Sequence, residues 1–188
     1  MLLKKMIKAF EIDKRSDYSI VDVLYALYLL YEKPMGRFSL MNELGLNEAS
    51  IKTLLKRMKS YGLVEKTTKG HALTGIGKNI AGALRKKIAL IYPYRHEIFD
   101  GKNVVLAVVK NACKKVKTGI EQRDAAMRYD SFIVTLIFNK KVKFPDTDKV
   151  VKGFDDVVLE DNDVLLLSNA KNRHDMIKGV FSAFLTLI

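Results

Sequence analysis

Tryptophan is absent from this 188-residue chain, cysteine occurs once, and histidine and proline occur three times each. One cysteine forms no internal disulfide and supplies no multi-cysteine zinc site, so a reducing cytoplasm is the expected compartment. His71, His96 and His174 stand far apart and form no His-x-x-x-His or His-x-His ligand pair. Long apolar runs are missing as well. Ile20 to Tyr31 is interrupted by Asp22, and Val180 to Ile188 falls well short of the ~20 residues that span a bilayer. Near the start, Lys4, Lys5 and Lys8 are followed by Glu11 and Asp13 where a signal peptide needs its apolar stretch, so neither secretion nor a membrane is expected.

Positive charge is what the chain has in excess. Against 21 Asp and Glu stand 33 Lys and Arg, a formal net charge of +12, which favours a polyanionic partner: nucleic acid first, an anionic membrane second. The 48% of hydrophobic residues is enough to place the chain among ordinary globular proteins. Its length suits one large domain or two small ones. Tyr92-Pro93-Tyr94 ends a long helical pattern, and a division there gives domains of residues 1–92 and 93–188. The first holds 17 basic and 8 acidic residues, net +9, and the second 16 and 13, net +3. On this division, three quarters of the excess lies in the first domain.

The first domain reads as a series of helices. Ser16 to Tyr31 carries a wide apolar face, with Ser16 or Ser19 as its cap. Ser39 is the expected cap of a short helix over Leu40 to Leu44, ended by Gly45. Asn47 then caps a helix from Glu48 to Tyr61, in which Ile51, Leu54, Leu55 and Met58 form one buried stripe. Its outward face is expected to carry Ser50, Thr53, Lys56, Arg57 and Ser60, with Lys52 and Lys59 on the flanks. Two helices about a short Gly-containing turn, the second basic and hydroxylic outside, describe a helix-turn-helix. Lys and Arg neutralise phosphates, while Arg, Ser and Thr reach base edges. Leu63 to Thr67, the turn Thr68-Lys69-Gly70, and His71 to Thr74 predict a hairpin presenting Lys66, Lys69 and His71. A long helix is expected from Gly75 to Ile91, with Arg85 among the residues on or near its outer side.

Leu44-Gly45-Leu46, Ser50 to Met58, Gly62-Leu63-Val64, Gly70 and Leu73-Thr74-x-x-Gly77 together resemble the winged-helix regulators of bacteria and archaea. The resemblance covers about residues 17–91. It implies that the Glu48–Tyr61 helix is the DNA reader, the hairpin its wing, and the helix after the wing a packing element between subunits. It gives DNA-contact roles to Lys52, Thr53, Lys56, Arg57 and Lys69, and the outer face and hairpin add Ser50, Lys66 and His71 to the expected contacts. An RNA-binding wing and a protein-adaptor wing are the alternatives.

The second domain reads β-α-β-β-β-α, an α+β sandwich with helices covering one face of a sheet. Strands are expected at Lys102–Val109, Phe132–Phe138, Lys141–Phe144 and Asp163–Leu167, with Asp155–Leu159 as an optional addition to that order, and helices at Thr118–Tyr129 and Asn172–Thr186. Thr118-Gly119-Ile120-Glu121 has the spacing of a capping box. The basic run before it makes Lys117, Thr118, Gly119, Gln122 and Arg123 a candidate site for a small anionic effector. The competing reading is a capped helix behind a solvated basic loop. Gly119 to Ala126, a following strand and Phe144-Pro145 also look like an uncharacterised archaeal family, in which a winged helix precedes a small domain of unknown function. Tyr129-Asp130-Ser131 departs from that pattern, standing where a Gly-bearing turn is expected.

No catalytic constellation is present in the sequence. Cys113 has Lys114, Lys115 and Lys117 beside it, whose charge is expected to lower its pKa, but no local base. The acids Asp155, Asp156, Glu160, Asp161 and Asp163 lack the Gly-turned loop of a calcium site. The expected protein is a non-enzymatic, cytoplasmic, homodimeric regulator that binds double-stranded DNA and needs no metal or cofactor. Its second domain senses a ligand or completes the dimer. The alternative is a metabolite-binding protein or enzyme acting on a phosphorylated small molecule, with the winged helix used for assembly.

Overall fold

The computed structural model describes residues 2–13, 15–147 and 149–188. The chain divides into two units, Met1–Arg85 and Lys86–Ile188. The expected division after Tyr92 is corrected because residues that continue a helical apolar spacing, Ile88 and Ile91, belong to a strand. The helix that follows the hairpin, α5 (Gly75–Arg85), stops at Arg85, and Ile88–Arg95 pairs with the following strand. Counted at this boundary, the first unit has 15 basic and 8 acidic residues, and the second 18 and 13. Net charges of +7 and +5 replace the steeper asymmetry expected from the sequence, so the clustering of charge carries more information than its division.

In the first unit, α1 (Leu2–Ala9), unanticipated in the sequence, buries Leu3 and Met6 and packs on α5. The α2 helix (Ile20–Glu32) begins at a capping box: Ser19 Oγ accepts from the Val21 amide, and the Asp22 carboxylate accepts from the Ser19 amide at 2.7 Å. The acid that interrupts the apolar run is thus the helix start. The α3 helix (Arg37–Leu44) opens at Gly36 rather than at Ser39, and ends in the left-handed Gly45. Asn47 Oδ1 accepts from the Ser50 amide at the start of α4 (Glu48–Ser60). Leu24, Tyr25 and Leu27 of α2 are fully buried, as are Leu40, Leu44, Ile51, Leu54 and Met58 from the next two helices.

The hairpin of β1 (Val64–Thr67) and β2 (Gly70–Leu73) pairs Val64 with Leu73 and Lys66 with His71. Met35 bridges to His71, fixing the hairpin to the α2–α3 connection. A side chain on Gly70, whose φ is +111°, would run into the Met35 carbonyl. After the hairpin, Thr74 Oγ donates to the Gly62 carbonyl and accepts from the Gly77 amide, opening α5 (Gly75–Arg85). Gly77 is required because a Cβ there would collide with the Leu63 carbonyl oxygen. This is the physical content of the Leu-Thr-x-x-Gly run. Arg85 turns inward, contrary to expectation: its guanidinium lies 3.6 Å from the Tyr28 ring centroid and donates to the Tyr28 carbonyl. It also pairs with Glu32, joining the ends of α2 and α5.

The second unit is built on a five-stranded antiparallel sheet of order β3-β4-β7-β5-β6. Its strands are β3 (Ile88–Arg95), β4 (Asn103–Val109), β5 (Phe132–Asn139), β6 (Lys141–Lys143) and β7 (Val164–Asn169). Because β7 is antiparallel to both β4 and β5, those two run parallel with β7 between them. Their connection contains α6 (Ile120–Met127). That helix and α7 (Arg173–Leu185) cover one sheet face, where Ile177, Val180, Phe181 and Phe184 are buried. Val104, Leu106, Leu136, Leu165 and Leu167 form the opposite face, packed with Tyr94 and Phe154.

An α+β fold is therefore present, with two corrections to the expected element order. The added strand is β3. The optional strand at Asp155–Leu159 is irregular chain, held by Asp156 accepting from the Tyr94 hydroxyl and by Phe154 stacking on His96 at 4.4 Å. Asp130 takes φ +50° in the turn after α6, the left-handed conformation in which a glycine was expected.

Candidate nucleic-acid interface

The side chains of α4 separate into two stripes because residues three and four apart share a helix face. Lys52, Lys56 and Lys59 form one stripe. They line a groove of about 820 Å³ between α3 and the hairpin. Arg37, Phe38 and Met41 enter it from α3, and Val64, Lys66 and His71 from the hairpin. Leu55 is part of its lining, and Glu48 and Glu65 contribute its carboxylates.

Glu48 organises one end. Its carboxylate lies 3.1 Å from Arg37 and 3.0 Å from Lys52, so one exposed acid holds a cation from each of two helices. The Lys52 hydrogen bond and the charges of Lys52 and Arg37 hold the Glu48 carboxyl below its ordinary value. At the other side, burial pushes the His71 imidazole below its ordinary value, with Lys66 adding to the effect. His71 Nδ1 is buried without a hydrogen-bond partner.

Ser50, Thr53 and Arg57, three of the expected contact residues, face away from this groove. Ser50 is only 4% exposed and directs its hydroxyl towards Asp17 at 3.4 Å. Thr53 donates to the Ala49 carbonyl and lines a separate cleft with Asp13, Arg15 and Asp17. Arg57 Nε donates to the Glu11 carbonyl at 3.0 Å, and its guanidinium pairs with the Glu11 carboxylate and lies over Tyr61. Tyr61 also donates to the Ala9 carbonyl and accepts from the Glu11 amide. This stripe of α4 clasps the segment after α1. Lys52, Lys56, Lys66 and His71 are brought together in the groove, and Lys69 is exposed on the hairpin turn. Arg37 and Phe38 were missed because the helix holding them starts earlier than its Ser39 signal indicated.

The five candidate effector residues do not converge. Gly119 occupies the N-cap position with φ +88° and has no side chain to cap the helix, and Thr118 Oγ1 accepts only from the Ile120 amide at 3.4 Å, so the expected Thr118–Glu121 capping box is not formed. Gln122 is buried and donates to Thr186 Oγ1 at 2.6 Å, pointing away from the exposed Lys117 and Thr118. Arg123 pairs with its neighbour Asp124. Ile120 and Met127 are exposed.

Other reactive groups of the second unit have structural partners. Burial pushes the Cys113 thiol up, reinforced by Asp163 and Asp161 and offset in part by the Phe138 carbonyl. That reverses the lowering expected from the lysines beside it. Asp163 is 1% exposed; it pairs with Lys110 at 2.8 Å and accepts from the Asn111 and Glu160 amides. The Ile98 amide donates to His96 Nδ1, so Nε2 carries the proton and donates to the Lys152 carbonyl at 2.7 Å. Among the described residues, no helix is long and apolar enough to cross a membrane.

Residues 19–79 match a family model described as PH0730-like, N-terminal domain, and residues 100–187 match one described as a domain of unknown function (DUF4443). No curated protein matches. A solved structure, the hypothetical protein PH0730 from Pyrococcus horikoshii OT3, is similar at 28% identity with a TM-score of 0.74. The similarity covers 90% of this chain and 93% of that one. The two domain matches and this structure together support an archaeal two-domain family, a PH0730-like N-terminal domain followed by a domain of unknown function, as the group this chain resembles.

Proposed function

We propose that the protein is a non-enzymatic transcriptional regulator that binds duplex DNA through the groove between α3, α4 and the hairpin. One observation carries this reading: Arg37, Lys52, Lys56, Lys59 and Lys66 come from three elements to line a single groove. An α-helix fits the major groove, where flanking cations neutralise phosphates on either side. In this reading α4 enters the major groove through its Lys52–Lys56–Lys59 stripe, and Lys69 on the hairpin turn meets the adjoining backbone. The second unit serves to pair two copies, which places two α4 helices about one helical turn apart on a two-fold symmetric site. A small ligand acting on that unit would alter the spacing.

The test is fluorescence anisotropy with a labelled random-sequence duplex across a salt series. The wild-type chain is expected to bind with a steep salt dependence. Replacing Lys52 and Lys56 with Ala should weaken binding and lower the slope by about two, roughly one for each phosphate that is no longer neutralised. Unchanged affinity and slope in the double variant would remove this groove from the interface. Tighter binding to a structured RNA at matched salt would turn the reading to RNA.

A further inference from the structure

Phe38 is 71% exposed. It sits in the first turn of α3 and lines the same groove as the cations. Its neighbour Arg37 pairs with Glu48 at 3.1 Å, so the first turns of α3 and α4 lie side by side. The first turn of a recognition helix is the part that reaches base edges. Phe38 therefore lines the groove beside the first turn of α4, the part that would meet base edges if α4 enters the major groove.

Building on the proposed DNA-binding function, we propose that Phe38 is a specificity-determining residue that reads thymine through its 5-methyl group. Charge selects the class of occupant, because cations flanking an exposed ring match a polyanion with apolar points on its surface. In duplex DNA the thymine methyl is the apolar point displayed in the major groove. Insertion of the ring between base pairs is the other known use of an exposed Phe, but such wedges enter from the minor groove, which is too narrow for the α3–α4 surface. Met41 and Leu55 extend the apolar lining next to the ring, so a methyl group seated there is withdrawn from water on more than one side.

The experiment selects the tightest duplex from a random library with the full chain, then resynthesises it with deoxyuridine at every thymine. That exchange removes methyl groups and leaves the hydrogen-bonding pattern and phosphate charge unchanged. The thymine duplex should bind about fourfold more tightly for each methyl contacted. Phe38→Ala should bring the ratio of the two affinities close to one with the salt slope unchanged, and Phe38→Leu should retain part of the preference. Equal binding of both duplexes by the wild-type chain, or an undiminished ratio in Phe38→Ala, overturns the assignment while DNA binding stands. Recovery of duplexes whose shared motif lacks thymine does the same. Failure to recover any duplex at low salt overturns both this assignment and the DNA-binding function.

Discussion

The Glu48 carboxylate lies 3.1 Å from the Arg37 guanidinium, linking the first turns of α3 and α4 through a single exposed ion pair. The same carboxylate meets Lys52 at 3.0 Å, so two of the groove cations are partly neutralised at rest. An acid there tempers attraction to any phosphate and favours a base edge that donates a hydrogen bond, such as the cytosine amino group.

Replacing Glu48 with Gln should therefore raise affinity for random-sequence duplex about threefold to tenfold at low salt, with the salt slope steeper by about one. Its preference among sequences should narrow. Glu48 has a depressed pKa, so its ion pairs are present above the unfolded carboxyl value and are lost as pH falls through the folded one. The wild-type tether should thus persist from pH 7 to pH 5. Anisotropy at several salt concentrations checks the first part, and side-chain carboxyl NMR across the titration checks the second.

The two stripes of α4 make opposite predictions. Lys56→Ala should reduce the salt slope of duplex binding by about one. Arg57→Ala should leave that slope unchanged, because the guanidinium is committed to Glu11 and Tyr61. The arginine variant should instead loosen the segment after α1, seen as faster exchange of the Glu11 amide, which donates to the Tyr61 hydroxyl at 3.0 Å. A fall in duplex affinity in Arg57→Ala comparable to that in Lys56→Ala would reverse the assignment of faces.

These stripes also mark how far the sequence could be read. The buried face of α4 was legible because Ile51, Leu54, Leu55 and Met58 repeat at helical spacing, and packing enforces that spacing. The outer face was not, since Arg57 is claimed by Glu11 and Ser50 turns towards Asp17, both distant in sequence. A helical period says which residues avoid the core without saying which solvent-side neighbour each one meets. The same locality misled the reading at Ile88 and Ile91, whose spacing continues the apolar face of α5 while their backbone groups pair with β4. In the second unit, the buried strands were found from their apolar runs. The loop-covered face was not, because Tyr94, His96, Phe154 and Asp156 meet only after the sheet has formed.

Gly77→Ala should destabilise the first unit by about 3 kcal/mol, the upper part of the usual range for forcing atoms into packed space. The added carbon meets the Leu63 carbonyl, which is backbone and has no rotamer through which to yield. Gly75→Ala is the matched control, since nothing lies within 4 Å of a Cβ there. Urea unfolding followed by circular dichroism should show a lower midpoint for Gly77→Ala and little change for Gly75→Ala. Equal midpoints for the two variants would show that the close approach of α5 to Leu63 is not what fixes the helix.

His71 gives the groove a pH dependence of definite sign. Its folded pKa is depressed, chiefly by burial and then by Lys66, against a smaller raising contribution from the Met35 backbone. The neutral ring therefore contributes stability that is present above the unfolded value of about 6.5 and is lost as pH falls through the folded value. Phosphates entering the groove supply the opposite influence. A nearby anion favours the imidazolium, so DNA binding should draw a proton onto His71. The free protein should become less stable as pH is lowered from 7 to 5, while its duplex affinity rises over the same interval beyond the change seen for His71→Gln. Thermal unfolding across this pH range measures the first effect. Calorimetric titration in buffers of different ionisation heat measures the proton uptake, which should vanish in His71→Gln; equal uptake by the variant would place the titrating group elsewhere.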